Sequence, residues 1–229
     1  MFGLGLLLPA AQAQTQPDLK AVLKKVSEIY KAATQYEFIG DATCRAEPLH
    51  TTQPVHVLMA LRLPDKYRMM AGNPCDRPGD GGVGEVLMVF DGSLLWTYLL
   101  QENLYDSVPE SALTEVDPAG GVAGLGPDSV DHETMSAYRD AADSSADFIR
   151  EETISVGGAK TGCYVVRVTP KDHSPVQTWW IDNATYHIVR GDDDESSVVF
   201  TTIKLNEPLA DDLFKFTPPP GAKKVVPDR

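Results

Sequence analysis

Val55-His-Val-Leu-Met-Ala-Leu-Arg-Leu-Pro-Asp-Lys-Tyr-Arg-Met-Met-Ala71 reads as two strands joined at a corner. Val55, Val57, Met59, Leu61 and Leu63 share one face, while His56, Ala60 and Arg62 share the other, the period of two of a strand with one side buried. Pro64-Asp65 turns the chain, and Tyr67 and Met69 then alternate with Lys66 and Arg68. The stretch predicts a hairpin of an antiparallel sheet, with large apolar side chains concentrated on one face.

Working outward, the same alternation recurs. Tyr36, Phe38, Gly40 and Ala42 alternate with Glu37, Ile39, Asp41 and Thr43. Val86 to Phe90 and Leu94 to Leu100 are apolar runs joined through Asp91-Gly92, a strong hairpin signal, and both faces of these strands read as covered. Further strands are predicted at Phe148 to Val156, Gly162 to Thr169, Val176 to Asp182, Tyr186 to Arg190 and Ser197 to Leu205, separated by turn clusters. Residues 18 to 35 carry Leu19, Val22, Leu23, Val26, Ile29 and Tyr30 at the spacing of an amphipathic helix, with Pro17 and Asp18 suited to its first turn. A short helix is predicted from His132 to Arg139, after the Gly- and Pro-rich loop of residues 118 to 131. Short strands at regular spacing, with few helices and no repeat, give a mainly β (α+β) domain on one antiparallel sheet.

The chain has 229 residues, and its formal net charge of -13, from 33 acidic against 20 basic residues, opposes binding to nucleic acid. A hydrophobic fraction of 42% permits a sizeable core. Residues 1–13 combine a short apolar run with Ala11-Gln-Ala13, which fits a signal cleavage site. They are read as the remnant of a signal peptide cleaved near Ala13, with residues 14–229 as a single exported domain; a buried N-terminal segment is the alternative. Among the three cysteines, Cys44 and Cys75 flank one sheet segment and are the first choice for a disulfide, leaving Cys163 over. Three free, buried cysteines are the alternative.

No catalytic constellation is found. His50, His56, His132, His173 and His187 lack the spacing of a zinc site, and there is no nucleophile elbow, P-loop or dinucleotide fingerprint. The acidic run Gly191-Asp-Asp-Asp-Glu195 lacks a calcium-loop pattern and reads as a solvated hairpin tip. Neither an enzyme nor a cofactor or metal is expected. What stands out is the number of Met and aromatic residues in the strands, which make either an ordinary packed core or a lining for an apolar ligand.

Two segments carry a resemblance. Phe90-Asp-Gly-Ser-Leu-Leu-Trp-Thr-Tyr98 resembles the hairpin, and Phe214-Lys-Phe-Thr-Pro-Pro-Pro-Gly-Ala-Lys-Lys-Val225 the ending, of the outer-membrane lipoprotein carrier (LolA/LolB-like) superfamily. The helix-first start, the corner at Arg62-Leu-Pro-Asp-Lys-Tyr-Arg68 and Trp180-Ile-Asp-Asn183 lie in matching order, so the resemblance, to a divergent member, covers the mature chain. It implies an unclosed half-barrel with the N-terminal helix and a short lid helix over an apolar concave face that takes the acyl chains of a lipid or lipoprotein. The implied lining is Met59, Leu61, Leu63, Tyr67 and Met69, joined by Trp96, Tyr98 and Trp180. A monomeric carrier is expected, with an inner- or outer-membrane protein as a further partner; a periplasmic sensor or adaptor acting on a membrane partner is the alternative. Carriers of this superfamily place an Arg just before the corner Pro to help set the closed state. Here that position is Leu63, and Arg62 falls on the opposite face.

Overall fold

The structure, a computed structural model, describes residues 16–45, 54–75, 84–113, 135–171 and 175–225. The predicted signal segment, the start of the second predicted helix, the Gly- and Pro-rich loop of residues 118 to 131 and most of a second such loop, residues 72 to 84, lie outside them. Among the described residues no helix is long and apolar enough to cross a membrane.

Helix α1 (Leu19–Lys31) opens the fold. Asp18 caps it, its carboxylate accepting from the backbone N–H of Lys20 (3.1 Å) and Ala21 (3.2 Å). The apolar stripe read from the sequence is buried at Val22, Leu23, Val26 and Tyr30. The helix stops at Ala32, short of the predicted Gln35, because Gln35 already pairs with Arg62 in the sheet.

Among the described residues twelve strands form one sheet: β1 (Gln35–Cys44), β2 (Val55–Arg62), β3 (Lys66–Ala71), β4 (Val86–Phe90), β5 (Leu94–Leu99), β6 (Leu104–Pro109), β7 (Ser145–Val156), β8 (Ala159–Thr169), β9 (Gln177–Asp182), β10 (Ile188–Asp192), β11 (Ser196–Leu205) and β12 (Lys223–Lys224). The order is β12-β6-β5-β4-β3-β2-β1-β11-β10-β9-β8-β7. Two meanders of successive hairpins meet where β1 pairs with β11, and β12 and β7 stand at the two ends, so the sheet does not close into a barrel. It is the expected unclosed half-barrel with few helices. Every ladder is antiparallel except the short β12–β6 pair.

Register assigns the faces. Tyr36 and Phe38 stand opposite Leu61 and Met59. These stand opposite Tyr67 and Met69, which stand opposite Phe90 and Met88. Paired residues project to the same side, so all eight share the inner face, the one α1 covers. The main core joins α1 to Tyr36, Phe38, Leu61, Tyr67, Phe90, Leu95, Trp179 and Ile188. Residues 135–139 are helical, in keeping with the second predicted helix as far as it is described, and are followed by a single 3₁₀ turn, Ala141–Asp143. Met135 and Ala141 enter the same core.

The outer face is covered too. The segment after β11 runs back over β2–β6, where Leu209 and Phe214 pack on Ala60, and Phe216 stacks near Trp96 (5.4 Å), Tyr105 (5.9 Å) and Tyr98 (6.0 Å). It ends as β12 beside Leu104 and Tyr105 of β6. Cys44 and Cys75 form the disulfide, while Cys163 is free and buried.

Candidate binding face

The inner face is graded along its strands. Near the corner between β2 and β3, Tyr36, Leu61, Tyr67 and Leu95 are 0% exposed and Phe90 is 1% exposed. This end is packed as an ordinary core. One step away, Met59, Met69 and Met88 lie side by side on adjacent strands and are only half-buried. Beyond them Val57, Ala71, Val86 and Leu99 continue the apolar face, again half-buried. Phe200 borders the methionine row, its ring 5.5 Å from that of Phe38.

Of the expected lining, Met59, Leu61, Tyr67 and Met69 stand together on this face. Leu63, just past the end of β2, packs against the same core. Trp96, Tyr98 and Trp180 do not join them. The Asp91-Gly92 turn sets Phe90 opposite Leu95, so Leu95 points inward and Trp96 and Tyr98 point outward, onto Phe216. Trp180 likewise belongs to a small outer core with Cys163, Val165 and Val189, and its neighbour Trp179 takes the inner position. Met88 and Phe90 are inner-face residues that the lining lacked; the Tyr67–Phe90 pairing, which follows from hairpin register, points to them.

The turn behind this register is tightly built. Asp91 accepts from the N–H of Ser93 (2.9 Å) and Leu94 (3.0 Å) and from the Ser93 hydroxyl (2.8 Å), and Gly92 takes φ 99°. Burial opposes ionisation of Asp91, but these hydrogen bonds outweigh it and hold the carboxyl below the usual range.

Helix 135–139 is pinned over the core by Arg139. Its guanidinium donates to the carbonyls of Tyr30 (3.2 Å) and Ala33 (3.3 Å), the open end of α1, and the Ser27 hydroxyl donates to the Arg139 carbonyl. Tyr138 sits against Tyr30 (5.0 Å) and edge-on to Trp179 (5.4 Å), and burial pushes its phenol up to about 12. The Tyr30 hydroxyl accepts from the N–H of Ile188 at 3.0 Å. Arg62, by contrast, works on the outer face: it bonds the Asp211 carboxylate and the Leu209 carbonyl and lies 5.0 Å over the Phe214 ring.

No family model matches the chain, and no curated protein does. Solved structures follow a similar path. LprF from Mycobacterium bovis is 13% identical with a TM-score of 0.47, over 85% of this chain and 96% of its own. The Mycobacterium tuberculosis lipoprotein LppX is 15% identical with a TM-score of 0.44, over 86% and 99%. A LolA superfamily protein from Nitrosomonas europaea is 14% identical with a TM-score of 0.32, over 86% and 97%. At these identities the likeness concerns chain path alone.

In the acidic run, Asp192 is buried and held by Arg190 (2.7 and 2.8 Å), Ser197 (2.7 Å) and Arg45 (3.3 Å), while Asp193 closes the turn onto Ser196. Only the tip beyond it is solvated as expected. Among the described residues no three His, Cys, Asp or Glu side chains gather to hold a metal. Two clefts, of about 350 Å³ beside Asp140 and Lys171 and about 250 Å³ beside Glu151 and Asn183, lie away from the methionine row.

Proposed function

We propose that the chain is a periplasmic, non-enzymatic carrier of an acyl-bearing ligand, a lipid or lipoprotein, held against the half-buried part of the inner face. The observation that carries this reading is the row Met59-Met69-Met88. Three flexible, polarizable side chains stand on adjacent strands, next to a fully packed core and themselves incompletely buried. In this reading Leu61, Leu63 and Tyr67 wall the closed end, and the methionines touch the chain. Burial at about 0.8 kcal/mol per CH₂ gives an acyl chain on the order of 10 kcal/mol before association costs, so affinity requires no reactive group. Native mass spectrometry of protein recovered from the exporting cell tests it. Co-purified lipid, or saturable uptake of a fluorescent fatty-acid probe, is expected; absence of both would sink the reading.

A further inference from the structure

Inner-face positions on β2 to β6 are apolar or aromatic with two exceptions. Thr97 of β5 and Asp106 of β6 are direct cross-strand partners. Thr97 also stands opposite Met88, so the row Met59-Met69-Met88 runs straight on into Thr97 and Asp106. From Met59 to Asp106 is four strand spacings, roughly 19 Å at about 4.8 Å each. That is the length scale of a long acyl chain. β12 reaches along β6 only as far as Tyr105, so Asp106 stands at the sheet's rim among the described residues. The N–H of Ser107 donates to its Oδ1 at 2.7 Å and steadies the carboxylate.

Resting on the carrier reading, we propose that Asp106 and Thr97 receive the polar end of the ligand and select head groups with a cation or N–H and O–H donors over anionic ones. An ionised carboxylate only accepts hydrogen bonds, and with a cation it makes a charge-assisted one. An anionic head placed there meets a like charge beside apolar walls that screen poorly.

The test displaces a fluorescent acyl probe from the full chain with dodecylammonium and with dodecanoate, each below its micelle concentration. Asp106→Asn is compared with Asp194→Asn, which removes the same charge from the exposed hairpin tip. The unaltered protein and Asp194→Asn should prefer the ammonium by about tenfold or more, and Asp106→Asn should lose most of that preference at an unchanged thermal midpoint. A preference that survives Asp106→Asn, or falls equally in Asp194→Asn, overturns the head-group assignment while leaving the carrier reading standing. If the probe does not bind at all, both fall.

Discussion

Asp91 concentrates in one carboxylate the turn that decides which aromatic residues face inward. Removing it in Asp91→Ala leaves the N–H groups of Ser93 and Leu94 without their acceptor. The expected cost is about 1–2 kcal/mol, read as a lowered denaturation midpoint. Cys163 makes a second residue-scale prediction. Burial foremost, with the Asp182 and Glu152 charges, pushes its thiol up to about 11, so the native protein should resist alkylation near neutral pH. One thiol should label after unfolding, and all three cysteines only after the Cys44–Cys75 bridge is reduced. At His187, burial lowers the imidazole below its ordinary 6.5, against opposing pulls from Asp182 and Glu207. Folding therefore favours the neutral ring: the contribution is full above the unfolded value and is lost as pH falls from there through the lowered folded value. His187→Gln should flatten the decline in stability as pH falls below about 6.5.

Among the elements, the two that cover the sheet are held differently. The C-terminal strap rests on Phe214, 1% exposed, and on Arg62 and Arg68, which reach Asp211 and the Leu209 and Leu213 carbonyls. Phe214→Ala should cost about 3–5 kcal/mol by denaturant titration, as large-to-small changes in a buried site do. Helix 135–139 depends on Arg139 at the end of α1. In Arg139→Ala, amide exchange should quicken in residues 135–143 and stay slow in β8 and β9. Strands with clean alternation or a strong turn were legible in the sequence. β6 was not, because Leu104-Tyr-Asp-Ser-Val-Pro109 breaks its apolar face at Asp106 and makes no run. Nor was β12, whose two residues act only through pairing with β6. The inner side of the β2–β3 hairpin followed from period two, but Trp96 and Trp180 were misplaced: aromatic character says that a side chain is covered, not by which layer. Here both faces of the sheet are covered, so only register decides.

For the molecule as a whole, the C-terminal segment covers the outer side of β2–β6, and the carrier reading places the ligand on the inner side of the same strands. The packed corner and the methionine row divide that side into a fully buried part and a half-buried one. The decisive measurement is uptake of a fluorescent acyl probe by Met59→Glu and Met88→Glu, set against Met70→Glu, a half-buried residue on the outer face. The carrier account predicts that either inner-face charge cuts affinity by more than about tenfold while Met70→Glu leaves it unchanged, provided all three remain folded. Equal binding by all of them, or a loss confined to Met70→Glu, would contradict it.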